Sequence, residues 1–379
     1  MKTVIAVDSF KGSISSIQAS KAIKEGITKA DPKTEIVSLP MGDGGEGTVE
    51  AIVHATGGIF REKLVTGPLH DKVMATYGIS GNGQTAIIEV ASACGLTLLT
   101  KQQRNPSLTT TFGVGELIMD AIDQGCRDFI IGLGGSATND AGIGMLQALG
   151  VQFFDRKRNE VGFGGAQLAL IEKINIAGMH PVLTECTFRV ACDVENELYG
   201  KDGAAVVFGP QKGANLDMVK QLDNGLKYFA SVVNRETGLL IHTIKGGGAA
   251  GGLGAAFHAF LNGKLKSGIS LVMEHVKLAS YIEGADLVIT GEGKLDNQTI
   301  YGKVPMGVAQ LAKQYGIPVI AVAGAITEDV ASLHEHGITA CFPIIQEPTS
   351  LDESMKELTA YHNLMKTSEQ FMRLIIRVK

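Results

Sequence analysis

A chain of 379 residues has the length for two domains of ordinary size, and its formal charge of −5 argues against the basic face of a nucleic-acid protein. Hydrophobic residues at 45% and charged residues at 19% argue against disorder, and aromatics at 6% with no tryptophan against a stacking surface for single strands. Glycine is the outlier, 48 of 379 positions against about 7% in ordinary proteins, with no collagen period.

Thr3–Val7 reads as a buried strand, and Ser15–Lys29 carries Ile17, Ala19, Ala22, Ile23 and Ile27 at helical spacing. Glu35–Leu39 is a second strand and Gly47–Thr56 opens a second helix, the β-α-β-α grammar of a parallel sheet. The middle reads differently. Lys72–Ile79 and Gln84–Glu89 flank Ser80-Gly81-Asn82-Gly83, a hairpin signal. Phe129–Leu133, Phe188–Cys192 and Ala205–Phe208 are further strand candidates, and Leu117–Gln124 and Leu216–Val233 are helical. The opening grammar then returns: strand Asp286–Thr290, helix Val304–Tyr315, strand Pro318–Ala323, helix Asp329–His336, strand Ala340–Ile345 and a closing helix over Ser354–Ile376.

Two strands from the start and three from the end make a five-stranded, doubly wound, flavodoxin-like α/β sheet. The expected organisation is a discontinuous domain, 1–61 with 281–379, carrying an inserted mixed α/β domain, 62–280. Met1–Phe10 is too short for a signal-peptide core, and Gly246–Gly263 is too rich in glycine for a membrane span. Cys94, Cys126, Cys186, Cys192 and Cys341 lie far apart without a Cys-x-x-Cys pair, as buried thiols of a reducing compartment do. A soluble, cytoplasmic protein with no membrane or nucleic-acid partner is expected.

The glycines sit where an open parallel sheet binds ligands, beyond the carboxyl ends of its strands. Strand one runs into Asp8-Ser9-Phe10-Lys11-Gly12, strand two into Gly42-Asp43-Gly44-Gly45-Glu46-Gly47-Thr48, and the third into Gly291-Glu292-Gly293-Lys294-Leu295-Asp296. Glycine lets a backbone approach a ligand closely, and the amides of a helix start favour an anion, although Asp43 could equally serve as a helix cap. In the middle region Gly134-Gly135-Ser136-Ala137-Thr138-Asn139-Asp140 follows a strand, Asp193 follows another, Lys212 stands in a glycine-flanked turn, and Arg104 precedes a threonine run. Gly246–Gly251 has a formal G-x-G-x-x-G spacing with Glu274 beyond it, which on paper suits a dinucleotide. No Walker A motif, zinc spacing or G-x-S-x-G elbow occurs.

Taken together, the loops at 8–12, 42–48, 133–140, 246–254 and 290–296 resemble those of the glycerate kinase family, the class distinct from P-loop kinases. The resemblance covers almost the whole chain. It implies two domains with the active site in the cleft between them, and phosphorylation of D-glycerate by ATP, usually at the 2-hydroxyl. It turns Gly246–Gly251 from a dinucleotide loop into a phosphate or domain-contact element. With that activity, Asp43, Asp296 and Glu46 are the candidate ligands for Mg2+, which takes one or two carboxylates beside phosphate oxygens. Lys11 and Lys294 are candidates to neutralise the phosphoryl oxygens, and Asp193 to accept the hydroxyl proton. Lys212 or Arg104 would hold the glycerate carboxylate. Ser9, Gly44, Gly45, Gly134, Gly135, Ser136, Thr138, Asn139, Gly291 and Gly293 complete the expected substrate and nucleotide contacts, and a homo-oligomer is open. The competing readings are an NAD(P)-dependent dehydrogenase built on Gly246–Gly251 and a non-catalytic metabolite sensor.

Overall fold

The computed structural model describes residues 1–296, 299, 302–327 and 331–378. Packing divides the chain into two units: Met1–Asp43, Glu50–Gly57 and Ile269–Lys379 form the first, Gly44–Val49 and Gly58–Gly268 the second.

The first unit is built on five strands in the spatial order Ala340–Pro343, Val319–Ile326, Leu287–Leu295, Lys2–Val7, Glu35–Ser38, and every neighbouring pair runs parallel. Thr3 lies opposite Leu287 and Val7 opposite Gly291, so strands from the two ends of the chain form the centre of the sheet. Parallel strands covered on both faces must be apolar at successive positions, and Val4, Ile5, Ala6, Val7, Val288 and Ile289 are all fully buried. Helix Ser16–Ala30 starts with a reciprocal capping box between Ser15 and Gln18. Its Ala19, Ala22, Ile23 and Ile27 join Leu364, Phe371 and Met372 of helix Glu357–Val378 in one core. The two helices touch at Gly26, where a Cβ would lie within 2.2 Å of the Met365 carbonyl oxygen.

The second unit has a six-stranded mixed sheet in the order Lys264–Lys266, Thr187–Ala191, Asp128–Gly132, Thr85–Glu89, Lys72–Ile79, Ile59–Thr66. The first four run parallel, and the last two are added antiparallel through the hairpin that Asn82-Gly83 closes. Phe129 and Phe188 stack with ring centroids 4.8 Å apart at the centre of its core. Among the described residues no helix is long and apolar enough to cross a membrane.

Three expectations need correction. Ala205–Phe208 is not a strand but part of helix Ala204–Phe208. A five-residue apolar run fits either state, and here Ala204 and Ala205 are buried while Val206 and Val207 face outward, a helical division. The closing helix is Glu357–Val378, preceded by the separate turn Leu351–Ser354 that Ser350 caps. The dinucleotide reading fails because Leu239–Ile244 forms no strand. The glycines after it belong instead to a left-handed stretch at Ala250, Gly251 and Gly252 inside helix Ala249–Leu261, where a fingerprint would need strand, turn and regular helix. Of the helix expected over Asp329–His336, Ala331–Glu335 is helical, and Asp329 and Val330 lie outside the described residues.

Candidate functional site

In the first unit the sheet itself delivers the charged groups. Asp8 N–H donates to the Gly291 carbonyl (2.9 Å), which sets Asp8, just past its strand, beside Glu292, inside the strand Leu287–Leu295. Met41 N–H donates to the Val7 carbonyl (2.9 Å) and carries the chain on to Asp43, whose carboxylate accepts a bond of 2.8 Å from Lys11 Nζ. Asp8 is 2% exposed. Burial above all, then the charge of Asp43, pushes its carboxyl up to about 7, against the pull of Lys11 and the Ser9 N–H; Glu292 adds to the rise. Burial lowers Lys11, but Asp43, Asp8 and Glu292 outweigh it and hold the ammonium above the ordinary lysine value. Burial also raises Glu292, which accepts from Thr299 Oγ1 (2.6 Å) and pairs with Lys303 (3.8 Å). The Asp296 N–H donates to Thr299 Oγ1, and the Asp296 carboxylate pairs with Lys294 (3.3 Å). Gly291 packs flat on the next strand, where a Cβ would lie 2.3 Å from the Val322 carbonyl oxygen, and Ser9 and Gly293 line the same edge beside Lys11.

Ser9, Lys11, Asp43, Gly291, Gly293, Lys294 and Asp296 are thus brought to one edge of one sheet. Asp8 and Glu292 stand beside them, both with carboxyls raised chiefly by burial. They were passed over in the sequence: Asp8 directly follows a buried apolar run, whereas the strand expected to end at Thr290 continues to Leu295, so Glu292 lies in a strand and not in the expected loop. Among the described residues no three His, Cys, Asp or Glu side chains gather closely enough to hold a metal ion alone. The donor set nevertheless fits Mg2+ that arrives with a nucleotide: Asp43 and Asp8 burden each other's charge, and a cation sharing phosphate oxygens would relieve both.

The raised Asp8 carboxyl has a consequence for stability. A group ordinarily near 3.8 and raised to about 7 on folding holds its proton more tightly in the folded chain. Its contribution is complete at low pH and is lost as pH climbs through about 7. The melting temperature of the ligand-free protein is therefore expected to fall between about pH 4 and pH 7, and Asp8→Asn to flatten part of that slope. Asparagine keeps an oxygen for the Ser9 N–H, which now donates to Asp8 Oδ1 at 2.7 Å. Thermal unfolding across that range checks this, and a parent-like slope in Asp8→Asn would contradict it.

In the second unit Gly44 takes a left-handed conformation (φ +86°), and a Cβ on it would lie 2.5 Å from the Ala191 Cβ. Gly44 and Gly45 therefore lie against the ends of strands Asp128–Gly132 and Thr187–Ala191, beside Gly132, Gly134 and Ala191. Asp193 follows the second of those strands, is exposed, and accepts from Gly268 N–H (3.0 Å). The helix beginning at Thr48 already has an anion on its first amides. Glu89 accepts from Val49 N–H (2.9 Å), and burial raises its carboxyl to about 7 although the amides pull it down. Glu46 is exposed, and its charge adds to the rise at Glu89.

The loop after Gly132 leaves Gly134 and Gly135 exposed and buries Ser136, Thr138, Asn139 and Asp140. Lys212, 2% exposed, donates to Ser136 Oγ (3.1 Å) and the Thr138 carbonyl (2.7 Å). Burial depresses its ammonium to about 8, against the charges of Cys94 and Asp140. Asn139 is fully buried, and neither side-chain amide atom has a partner among the described residues. Asp140, another residue not singled out in the sequence, accepts from Thr111 N–H and Oγ1 (both 2.9 Å) and ties the threonine run to helix Ile143–Ala148. Arg104 reaches the Gln211 carbonyl at 3.5 Å, which brings it to the turn that carries Lys212.

These loops have counterparts in known proteins. The sequence model of the glycerate kinase family matches residues 3–376. The chain is 49% identical over 368 residues to the glycerate 2-kinase of Escherichia coli (strain K12), covering 97% of this chain and 96% of that protein. It is 46% identical over 361 residues to the glycerate kinase of Bacillus subtilis (strain 168), covering 95% and 94%. A crystal structure from Salmonella typhimurium LT2, provisionally named glycerate kinase 2, superposes with a TM-score of 0.92 at 44% identity over 100% of this chain and 98% of that one. The charged strand ends of the first unit and the glycine loops of the second both fall inside these matches, and the chain belongs to the glycerate kinase family.

Proposed function

We propose that this chain is a glycerate kinase that moves the γ-phosphoryl group of ATP to the 2-hydroxyl of D-glycerate, in the cytoplasm. One observation carries the chemical part of the reading: Lys11 bonded to Asp43 beside the buried Asp8, an edge where cation and anion charges are concentrated and unbalanced. Phosphoryl transfer consists mostly of positioning and charge neutralisation, and such an edge supplies both. The first unit's strand order, numbered along the chain as 2-1-3-4-5, is the flavodoxin-like order, which supports a doubly wound sheet with ligands at its carboxyl edge.

Lys11 and Lys294 neutralise the phosphoryl oxygens. Asp43, with Asp8 and Asp296 as further carboxylates, would hold Mg2+, which supplies charge neutralisation at the phosphates when bound. Asp193, held by the Gly268 N–H, accepts the proton of the 2-hydroxyl as its oxygen bonds to the γ-phosphorus. The bond from that phosphorus to the bridging oxygen breaks, and ADP leaves. The exposed amides of Gly134 and Gly135, backed by the Lys212 charge and flanked by Arg104, receive the glycerate carboxylate. The name of the Escherichia coli relative supports the 2-hydroxyl.

A coupled assay for ADP release with D-glycerate and Mg-ATP, followed by phosphorus NMR of the product, tests the reading. Glycerate-dependent ADP and 2-phosphoglycerate are expected. Absence of glycerate-dependent ADP overturns the activity, and 3-phosphoglycerate as the main species overturns the position.

A further inference from the structure

The first unit contains a cavity of about 360 Å³ whose lining has two characters. One part is charged and polar: Ser9, Lys11, Ser13, Glu292, Lys294 and Lys303. The other is apolar, from the carboxyl ends of the next two strands and the segment after them: Ala325, Ile344, Ile345, Leu351 and Met355. Ile345, Leu351 and Met355 are 38%, 73% and 37% exposed, an apolar rim open to water. Ser13 Oγ is buried with no hydrogen-bond partner among the described residues. Gly12, at φ +78°, leads the Lys11 loop close to Met355, within 3.0 Å of its terminal methyl for a notional Cβ, so the two linings meet.

We propose that this cavity is the base-and-ribose subsite of the nucleotide, with the phosphates leading out over Lys11, Lys294 and Lys303; the assignment rests on the kinase reading above. Size and polarity select this occupant. A volume of this order is typical of pockets that enclose a nucleoside-sized ligand. A three-carbon hydroxy acid would leave most of it empty and has no apolar face for Ile345, Leu351 and Met355. A purine offers a flat apolar surface to that rim and edge groups to Ser13. The three lysines match a polyphosphate better than a single carboxylate.

The test uses two variants at exposed lining positions, where the core is not disturbed: Ala325→Trp, which fills the cavity, and Ile345→Glu, which puts a carboxylate on the apolar rim. ADP binding in the presence of Mg2+ is measured by titration calorimetry, and KM is measured separately for ATP and D-glycerate. In both variants ADP affinity is expected to weaken, and KM for ATP to rise, by about tenfold or more, with KM for D-glycerate within about twofold of the parent. ADP affinity unchanged in both variants overturns the assignment. So does a rise confined to KM for D-glycerate, which would give the cavity to the acid. ADP binding needs no turnover: loss of binding in the variants upholds the subsite even if the parent proves inactive on glycerate, the result that would overturn the kinase reading instead.

Discussion

Replacing Asp43 by asparagine is expected to lower ATP-dependent turnover by about two to three orders of magnitude and to weaken its dependence on Mg2+. Thermal unfolding should move little. The Lys11–Asp43 pair is partly exposed, at 58% and 21% of the two side chains, and such pairs contribute about 0–1 kcal/mol. Removing the Asp43 charge also removes the second-largest influence that raises Asp8, so the Asp8 carboxyl should drop toward its ordinary value. The measurement is a Mg2+ titration of glycerate-dependent ADP formation for Asp43→Asn and Asp296→Asn beside the parent. Parent-like rate and magnesium dependence in both would remove the carboxylates from the phosphate chemistry and leave Asp43 as a partner of Lys11.

Lys212→Met is expected to raise KM for D-glycerate by roughly thirtyfold or more while leaving KM for ATP near the parent value. Methionine keeps much of the volume of a side chain that is buried, but it has no charge to set behind Gly134 and Gly135. Stability should change by about 1–3 kcal/mol or less, because the substitution orphans the Thr138 carbonyl and at the same time removes a buried charge. The pH profile provides an independent readout. The ammonium is depressed to about 8, so glycerate affinity in the parent should fall as pH rises through that value and stay flat in the variant. The sign for stability is opposite: the unfolded chain holds this proton more tightly, so the burial penalty diminishes above about pH 8. An unchanged KM for D-glycerate with an unchanged pH profile would reduce Lys212 to a loop anchor.

Much of the architecture was legible because buried parallel strands write themselves as unbroken apolar runs. Thr3–Val7, Asp286–Thr290 and Pro318–Ala323 overlap observed strands, but the charged segment expected as a loop after Thr290 continues the strand to Leu295, where the parallel pairing with Lys2–Val7 brings it beside Asp8. Ala204–Phe208 was not legible. Five apolar residues have no period to read, and the choice of helix depends on which side its neighbours cover. The electrostatics were hidden for a similar reason. Nothing local marks Lys212 as buried or Asp8 as holding its proton near neutrality, since burial by the folded chain is the main cause of both shifts, opposed at Lys212 by Asp140 and Cys94 and reinforced at Asp8 by Asp43 and Glu292. Glu89 on the first amides of the helix at Thr48 is a third case, forty positions from the Val49 amide it accepts.

The pairing of Thr3 with Leu287 sets a schedule for synthesis. The first strand leaves the ribosome with one neighbour, Glu35–Ser38, close behind, and its other neighbour is encoded 284 positions later. At translation rates of about 5–20 residues per second that interval is roughly 15–60 s, far longer than hairpins or helices need to form. During it the fully apolar Val4–Val7 has one face of the sheet unmade and one edge unpaired, while the segment 58–268 can complete its own six strands. Nascent chains are therefore expected to expose an aggregation-prone strand early and to complete the charged edge of Asp8, Lys11 and Glu292 last. Stalling between Gly268 and Leu287 leaves a complete six-stranded sheet trailing an apolar strand with one edge unpaired.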